Sequence, residues 1–180
     1  MDEEFLIMRD EFQTEGLIDM INYMGNIQNL NMIEIGSYTG ESTLIFCGKF
    51  NTVTSIDPYL NDYDETDDAC EYADFDLVYK EFLKNTKEES NIFHFRLTSD
   101  QFAGMYDTKV DFVYIDGLHT EEQVFKDIIN YKPFIKKGGW IGGHDYHPRW
   151  SGVVNAIHTV LGEPDKVFQD GSWIKRIDNE

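Results

Sequence analysis

The sequence predicts an α/β fold: a doubly wound, mostly parallel seven-stranded sheet with helices on both faces. Short apolar runs alternate along the chain with longer segments whose apolar residues have helical spacing, and this alternation is typical of parallel strands joined by helices. Turn-forming residues close most of the apolar runs. The length of 180 residues fits a single domain, since domains usually hold about 100–200 residues. We therefore interpret residues 1–180 as one domain.

The chain begins with a segment that we interpret as helical. Residues 1–30 place apolar side chains at the spacing of one or two helices, which would pack on the sheet. A short strand over 31–36 follows, and it ends at a glycine. The next segment, 41–50, again has helical spacing. Strand, turn and helix thus follow one another in this part of the chain.

The remaining strands are predicted from apolar runs bounded by Asp, Gly, Pro or Asn. Gly171 separates the last two of these runs, so we expect them to form an antiparallel hairpin at one edge of the sheet. The other strands are expected to be parallel and joined by right-handed crossovers. The predicted strands cover 52–56, 91–97, 110–115, 139–141, 165–168 and 172–177.

Charge narrows the range of partners. The chain has 15 Lys and Arg against 34 Asp and Glu, a net charge of −19, and such a surface repels polyanions. We therefore expect a small-molecule ligand, no nucleic-acid partner and no membrane partner, and the sequence leaves a homo-oligomer open. Only two cysteines are present, and the first residues lack the basic and apolar regions of a signal peptide. We expect a cytoplasmic protein.

Residues 59–90 form an acidic segment that follows the second predicted strand. It contains eleven acidic residues against three lysines, a net charge of −8. Its second half has Phe75, Val78 and Phe82 at the spacing of a helix that faces the core. Because the segment leaves the carboxyl end of a strand, we interpret it as an insertion that forms a lid over the cleft and then a helix. A solvated acidic face is the alternative.

A ligand-binding turn is predicted between the first strand and its helix. In open α/β sheets, ligands bind outside the carboxyl ends of the strands. Gly36 permits a tight turn there, and Gly40 lets the helix pack close to its strand. Tyr38 stands where a dinucleotide-binding turn has glycine, so a ligand without a pyrophosphate fits better. A purely structural turn is the alternative.

Polar residues after the next two strands predict contacts to a nucleoside. Asp57 lies about 20 residues beyond Gly36, the spacing at which an acidic residue accepts hydrogen bonds from ribose hydroxyls. A turn residue before proline is the alternative. Ser99 and Asp100 follow the third predicted strand, where they would hydrogen-bond an adenine edge. A helix cap is the alternative for this pair.

These residues resemble a known family. The run from Glu34 to Gly40, followed by Asp57, is similar to the class I S-adenosylmethionine-dependent methyltransferases, which have a Rossmann-like fold. The resemblance implies that the turn after the first strand cradles the methionine part of S-adenosylmethionine and that Asp57 holds the ribose. It spans about residues 31–150. The cofactor-binding residues predicted so far are Glu34, Gly36, Ser37, Tyr38, Gly40, Asp57, Ser99 and Asp100.

Acidic and histidine side chains follow the fourth and fifth predicted strands. Asp116 and His119 come after the fourth, and His144 and Asp145 come after the fifth. Since the carboxyl ends of neighbouring parallel strands meet at one edge, we expect these side chains to converge. Carboxylates and imidazoles together hold divalent cations: oxygen ligands favour Mg²⁺ or Mn²⁺, and histidines admit Zn²⁺ or Fe²⁺. The alternative is that Asp116 caps a helix and the pair after the fifth strand lines a loop.

This second motif resembles a more specific branch, the small metal-dependent O-methyltransferases together with the cephalosporin-hydroxylase-like proteins. The resemblance implies a site for Mg²⁺, or Mn²⁺, with Asp116 and Asp145 as ligands. His144 stands where the branch has a carboxylate. The implied metal ligands are therefore Asp116, His144 and Asp145, and Asp116 is assigned to the cofactor site as well.

Three functions remain open at this point. The first is an S-adenosylmethionine-dependent enzyme that methylates a hydroxyl of a small molecule, such as a sugar or a natural product, with divalent-metal assistance. Methyl transfer needs positioning and a base, and we expect His119, or alternatively His144, to be the catalytic base. The second function is a metal-dependent hydrolase that uses the Asp and His residues directly. The third is an inactive cofactor-binding module.

Overall fold

The sheet has seven strands in the part of the chain that a computed structural model describes, which is residues 9–61, 63 and 73–178. The strands are β1 (Asn31–Ile35), β2 (Thr52–Ile56), β3 (Ile92–Phe95), β4 (Val110–Ile115), β5 (Ile135–Gly143), β6 (Lys166–Val167) and β7 (Trp173–Ile177). Their order in the sheet is β3-β2-β1-β4-β5-β7-β6. Strands β1 to β5 are parallel, and β7 pairs antiparallel with both β5 and β6. The predicted α/β class and the antiparallel edge hairpin are confirmed.

The fifth strand is longer than its sequence pattern predicts. It covers Ile135–Gly143, whereas only 139–141 was expected. Exposed lysines and two glycines occupy its first half, and its pairing with β4 shifts register between Val110 and Phe112. Ile135 pairs with Val110, and an irregular stretch follows before regular pairing resumes at Gly139, so apolar periodicity underestimates the length of the strand. Strands β3 and β6 are shorter than predicted.

Four of the six helices named here begin at a side-chain cap. The α-helices are α1 (Glu11–Tyr23), α2 (Glu41–Cys47), α3 (Phe75–Thr86), α4 (Ser99–Ala103), α5 (Glu121–Tyr131) and α6 (Ser151–Leu161). Asp10 forms a capping box with Gln13 at α1, and Thr98 forms one with Gln101 at α4. No helix within the described ranges combines the length and the apolar character needed to cross a bilayer.

The helices cover both faces of the sheet because side chains alternate along each strand. On β1, Ile33 and Ile35 pack in one apolar cluster with residues of α5 and α6, whereas Met32 packs in another with residues of α1 and α2. A third cluster joins Tyr59 to Phe82 of α3. These layers hold the carboxyl ends of β1, β2, β4 and β5 at one edge of the sheet.

The acidic segment after β2 is described only in part. Residues 62 and 64–72, where most of the predicted lid falls, lie outside the described residues, and the lid stays a prediction. The second half of the segment contains α3. Its Phe75, Val78 and Phe82 are buried, as their helical spacing predicts.

Candidate functional site

The carboxyl ends of β1, β2, β4 and β5 open into a cavity of about 390 Å³. Ligands bind at this edge in open α/β folds. Residues from the N-terminal segment and from the turn before α6 complete the walls. Of the site residues predicted from sequence, those that line the cavity are Gly36, Ser37, Tyr38, Asp57, Ser99, Asp116, His119, His144 and Asp145.

The glycine turn, residues 36–40, brings strained backbone to the cavity. Gly36 has φ +83°, and a Cβ there would lie 2.0 Å from the carbonyl oxygen of Asp116, so only glycine fits. Tyr38 has φ +45°, a left-handed conformation that costs a non-glycine residue roughly 1–2 kcal/mol. Gly40, with φ +90°, is the N-cap of α2. Gly40 packs toward Phe82 and is not among the residues that line the cavity.

Asp57 holds the glycine turn from the end of β2. Its Oδ2 accepts hydrogen bonds from the backbone N–H groups of Ser37 and Tyr38, each at 3.0 Å, and its Oδ1 accepts one from the N–H of Tyr59 at 2.9 Å. Burial raises the pKa of the Asp57 carboxyl, although the three backbone hydrogen bonds oppose the shift. Asp57 therefore shapes the turn in addition to lining the cavity. Its contact with a ribose stays a prediction.

Glu34 and Asp100 lie away from the cavity wall. Glu34 is fully buried, and it accepts hydrogen bonds from the hydroxyls of Ser42 at 2.6 Å and Thr43 at 2.5 Å, at the start of α2. Burial raises the pKa of Glu34 to about 7, against the effect of the two hydroxyls. Asp100 is exposed and accepts a hydrogen bond from Nδ2 of Asn130 at 3.2 Å. Both carboxylates thus have structural partners, and a cofactor role for either stays a prediction.

Ser99 belongs to a buried polar group that no sequence motif indicates. Nε2 of Gln123 donates to Oγ of Ser99 at 3.1 Å and to Oδ1 of Asp127 at 3.0 Å. Burial raises the pKa of Asp127 to about 7, although hydrogen bonds from the neighbouring side chains oppose it. All three residues line the cavity. Gln123 and Asp127 are four residues apart, so they lie on the same face of α5. The packing of α5 against α4 places that face next to Ser99, at the end of β3.

Four side chains that follow the ends of β4 and β5 form an acid–imidazole cluster: Asp116, His119, His144 and Asp145. One ligand atom each of Asp116, His144 and Asp145 lies within 4.8 Å of the others. Nδ1 of His144 lies 3.2 Å from Oδ1 of Asp145 and 4.0 Å from Oδ1 of Asp116. Nε2 of His119 lies 2.8 Å from Oδ2 of Asp145. The side chains that were expected to converge after these strands thus lie together.

Charges within the cluster shift the pKa values of its members. Burial lowers the pKa of His144, but the hydrogen bond to Asp145 and the charges of Asp116 and Asp145 outweigh burial and raise that pKa to about 9. Burial disfavours the charged form of Asp145, yet hydrogen bonds from His119 and His144 hold its pKa below the ordinary value. Burial raises the pKa of Asp116. The charges of Asp116 and Asp145 thus favour the protonated form of His144.

Arg9 reaches this cluster from the N-terminal segment. Its Nη2 lies 3.2 Å from Oδ2 of Asp116, and its backbone N–H donates to Oε2 of Glu41 at 3.2 Å. The Arg9 side chain is 9% exposed, so the ion pair is largely shielded from solvent. The two partners are 107 residues apart in the chain. No local motif marks Arg9 because the contact depends on how the N-terminal segment packs.

Asp170 supports the cluster from the turn between β6 and β7. Its side chain is fully buried, and its Oδ2 lies 3.7 Å from Nε2 of His144. The same oxygen accepts a hydrogen bond from Oγ of Ser172 at 2.7 Å. A Cβ on Gly16 of α1 would lie 2.1 Å from Cγ of Asp170. The Asp170 carboxylate thus lies between α1 and His144. The sequence around Asp170 is typical of a turn, so it does not indicate this contact.

The donor set of the cluster suits a divalent cation. Two carboxylates and one imidazole are ligands that Mg²⁺, Mn²⁺, Zn²⁺ and Fe²⁺ accept to different degrees. Arg9 and the proton of His144 already balance the two carboxylates. A cation at Asp116, His144 and Asp145 must therefore displace that proton and compete with the guanidinium, so its affinity is expected to rise with pH.

An aromatic wall stands beside His119. The ring of Trp150 stacks on His119 with centroids 4.5 Å apart and an interplanar angle of 23°. The guanidinium carbon of Arg149 lies 5.2 Å from the centroid of the Trp150 ring. All three residues line the cavity. Aromatic side chains next to groups that form hydrogen bonds are typical of small-molecule sites.

Comparison with known proteins matches residues 33–146 to a family described as a methyltransferase domain. An uncharacterized protein of Acanthamoeba polyphaga mimivirus is 26% identical in an alignment of length 144 that covers 75% of this chain and 61% of the viral protein. The chain thus spans less than two thirds of the length of that relative.

Solved structures share the fold at low sequence identity. The N-methyltransferase NodS from Bradyrhizobium japonicum, in complex with S-adenosyl-L-homocysteine, has a TM-score of 0.69 at 16% identity, covering 99% of this chain and 94% of NodS. A TDP-rhamnose 3'-O-methyltransferase of calicheamicin biosynthesis has a TM-score of 0.65 at 15% identity, covering 94% of this chain and 82% of that enzyme. The O-methyltransferase NovP has a TM-score of 0.66 at 13% identity, covering 91% and 79%. At these identities the likeness shows the fold alone.

Proposed function

The chain belongs to the methyltransferase domain family, and from this premise we propose that it is an S-adenosylmethionine-dependent methyltransferase that methylates a hydroxyl of a small molecule. One observation carries the proposal: the same cavity contains the glycine turn and Asp57 at one part of its wall and Asp116, His119 and Asp145 at another. The first part suits a nucleoside that carries an amino-acid arm. The second suits a hydroxyl that must lose its proton.

The proposed cofactor is S-adenosylmethionine. Oδ1 of Asp57 accepts one backbone hydrogen bond and retains a lone pair for a ribose hydroxyl. Ser99, Gln123 and Asp127 supply donors and acceptors of the kind that an adenine edge requires. The complex of NodS with S-adenosyl-L-homocysteine supports this choice through the shared fold.

The proposed reaction is an in-line displacement. The acceptor oxygen attacks the methyl carbon, the carbon–sulfur bond breaks, and the sulfur leaves as the thioether of S-adenosylhomocysteine. Nε2 of His119 lies 2.8 Å from Oδ2 of Asp145, so this carboxylate orients the imidazole that accepts the hydroxyl proton. A positioned base of this kind contributes about 10²–10⁴-fold to a rate.

A divalent cation is a proposed aid to this chemistry. Asp116, His144 and Asp145 are the residues that would hold it. When bound, such a cation supplies Lewis-acid polarisation that lowers the pKa of an acceptor hydroxyl. The imidazole of His144 makes Mn²⁺ a better fit than Mg²⁺, because nitrogen ligands favour transition metals.

We propose a sugar or a similarly hydroxylated natural product as the acceptor. The stacked rings of Trp150 and His119 line the cavity beside carboxylates that accept hydrogen bonds from the hydroxyls of such an acceptor. A net charge of −19 disfavours polyanionic acceptors. The shared fold of a TDP-rhamnose 3'-O-methyltransferase supports a sugar acceptor.

Ligand binding tests the cofactor assignment. We expect S-adenosylmethionine and S-adenosylhomocysteine, but not NAD, to raise the unfolding temperature, since a ligand at about 100 times its Kd adds about 2.7 kcal/mol of stability. Titration calorimetry then measures each Kd, with Mg²⁺, Mn²⁺ or a chelator present. No response to either adenosyl ligand would overturn the proposal, and a response to NAD alone would indicate a dehydrogenase.

Turnover tests the reaction. The chain is incubated with S-adenosylmethionine and a panel of sugars and polyhydroxylated compounds, with primary amines as matched acceptors, and release of S-adenosylhomocysteine is measured. We expect release with hydroxyl acceptors only. Release with amines only would replace O-methylation by N-methylation. Ester hydrolysis without S-adenosylmethionine would favour the hydrolase, and cofactor binding without any turnover would favour the inactive module.

A further inference from the structure

Tyr59 lies beneath the glycine turn at a position that no sequence motif marks as functional. Its hydroxyl donates a hydrogen bond to the carbonyl oxygen of Tyr38 at 2.8 Å and lies 3.1 Å from Oγ of Ser37. Because the proton of the Tyr59 hydroxyl is directed to Tyr38, the Ser37 hydroxyl is the donor in the second contact. The backbone N–H of Tyr59 donates to Oδ1 of Asp57 at 2.9 Å. Tyr59 thus contacts the turn and Asp57, and it lines the same part of the cavity as they do.

Tyr38 is one of two residues in these contacts with a left-handed backbone; the other is Tyr59, with φ +47°. Tyr38 has φ +45°, in the left-handed region, which few non-glycine residues adopt. Its N–H donates to Asp57 and its carbonyl accepts from Tyr59, so both polar groups of its backbone are tied to the segment after β2. Strained residues persist only where their surroundings over-determine them. Removing the Tyr59 hydroxyl releases one of these ties.

The ring of Tyr59 is itself held in place. It is 1% exposed and packs against Tyr79, Phe82 and His94 with centroid distances of 4.8, 6.0 and 5.6 Å. Nη2 of Arg96 donates to the carbonyl oxygen of Tyr59 at 3.0 Å. A ring fixed on these sides keeps its hydroxyl at one point, and such pre-organisation lowers the entropic cost of ligand binding.

We propose that Tyr59 is a positioning residue for the cofactor: its hydroxyl pre-forms the glycine turn and so raises the affinity for S-adenosylmethionine without contacting the reacting atoms. The inference rests on the proposed function and deepens it. A tyrosine that only fills the core would contribute to stability and leave cofactor affinity unchanged, so the two roles are separated by measuring both quantities.

The variant Tyr59→Phe keeps the ring and removes the hydroxyl. We expect its Kd for S-adenosylhomocysteine, measured by titration calorimetry, to rise about five- to tenfold, the effect of losing one hydrogen bond that orders the site. The unfolding temperature is measured on the same samples without ligand. Tyr79→Phe is the matched control, because it removes a hydroxyl from a ring that packs against Tyr59. Its Kd is expected to stay within about twofold of the wild-type value.

Ser37→Ala tests the same contact from the other side. It removes the hydroxyl that lies 3.1 Å from that of Tyr59, and we expect its Kd to rise as well. In a double-mutant cycle, the effects of Ser37→Ala and Tyr59→Phe are expected to be non-additive because both act on one turn. Because Ser37 also lines the cavity, a loss of affinity in Ser37→Ala supports the inference only together with this coupling, whereas wild-type affinity in Ser37→Ala counts against it.

Wild-type affinity in both Tyr59→Phe and Ser37→Ala would overturn the inference, whatever their unfolding temperatures. An equal loss of affinity in Tyr79→Phe would also overturn it, because the effect would then come from ring packing. Failure of the wild-type chain to bind S-adenosylhomocysteine would overturn the proposed function and this inference with it. The wild-type titration therefore distinguishes the two failures.

Discussion

Nε2 of His119 lies 2.8 Å from Oδ2 of Asp145, so one hydrogen bond joins the loops that follow β4 and β5. The other carboxylate oxygen of Asp145 lies 3.2 Å from Nδ1 of His144. Asp145 has φ +61°, a conformation that Asp and Asn tolerate better than most residues. A single carboxylate thus orients both imidazoles of the acid–imidazole cluster.

Asp145→Asn removes this charge and keeps a residue that tolerates the left-handed backbone. We expect the rate of methyl transfer to fall by about 100-fold or more, because His119 loses the group that orients it and stabilises its charged form. Release of S-adenosylhomocysteine measures the rate. Asp178→Asn, whose carboxylate is 84% exposed, is the control. Turnover that survives both Asp145→Asn and a chelator would contradict a role for a metal in this cluster.

Arg9→Met removes the cation beside Asp116 and keeps an unbranched stem. Asp116 then becomes a largely buried carboxylate without its guanidinium partner, and we expect the free energy of unfolding to fall by roughly 2–3 kcal/mol. Mn²⁺ is expected to restore part of this loss, because a divalent cation replaces the missing charge. Urea denaturation with and without Mn²⁺ measures both effects.

The control for this change is Lys84→Met. Lys84 is 69% exposed and pairs with Glu81 on the surface of α3, so its loss is expected to change stability little. If Mn²⁺ stabilised the wild-type chain and Arg9→Met equally, the guanidinium and the cation would not compete for Asp116.

Asp57→Ala removes the acceptor of three backbone hydrogen bonds. We expect the affinity for S-adenosylhomocysteine to fall by about 1–3 kcal/mol and the free energy of unfolding to fall by about 2–4 kcal/mol. Titration calorimetry and urea denaturation separate the two losses. An unchanged Kd would exclude the ribose contact, while a loss of stability alone would leave Asp57 with its role in the glycine turn.

The fold could be predicted from the sequence because burial dictates the apolar runs. Strands β2 and β4 have the predicted ends, Thr52–Ile56 and Val110–Ile115, since turn residues flank runs that are mostly buried. The first half of β5 was missed because its lysines face solvent. Only Ile135 is paired with β4 before an irregular stretch there, and no apolar alternation marks such a segment as a strand.

The site could be predicted where topology alone decides position. Asp57, Asp116 and Asp145 follow strand ends, so the strand order brings them to one edge. Arg9 and Asp170 could not be predicted, because their contacts depend on how α1 and the edge hairpin pack. The direction of a side chain could not be predicted from the motif either. Glu34 is the first residue of the motif at the glycine turn, yet its carboxylate bonds to hydroxyls at the start of α2.

The buried carboxyl of Glu34 makes stability depend on pH. Burial raises its pKa from 4.5 to about 7, although hydroxyls of Ser42 and Thr43 oppose the shift. Between these values the folded chain holds a proton that the unfolded chain has released, so the contribution to stability is complete below about pH 4.5 and is lost as the pH rises through about 7. Glu34→Gln removes this titration. We expect the variant to be more stable than the wild type by on the order of 1–3 kcal/mol at pH 8, with a smaller difference at pH 5.

Urea denaturation at the two pH values measures this difference. Glu122→Gln is the control, because Glu122 is 79% exposed. Parallel pH profiles for Glu34→Gln and the wild type would show that Glu34 is charged in the folded chain throughout this range.

Gly16 shows how closely α1 is fitted against the acid–imidazole cluster. A Cβ at this position would lie 2.1 Å from Cγ and 2.2 Å from Oδ1 of Asp170. Asp170 has little freedom to retreat, because its Oδ1 accepts a hydrogen bond from the N–H of Ser172 at 3.0 Å and its Oδ2 lies 3.7 Å from His144. Alanine favours an α-helix over glycine by about 1 kcal/mol, so helix propensity and packing oppose each other here.

We expect packing to dominate, so that Gly16→Ala lowers the free energy of unfolding by about 2 kcal/mol in urea denaturation. Gly48→Ala is the matched control: a Cβ there would lie 3.6 and 3.7 Å from the carbonyl oxygens of Ile45 and Leu44, which is ordinary contact. Its stability is expected to equal or exceed that of the wild type. A Gly16→Ala chain as stable as the wild type would mean that Asp170 moves without cost, and that α1 does not brace His144 through it.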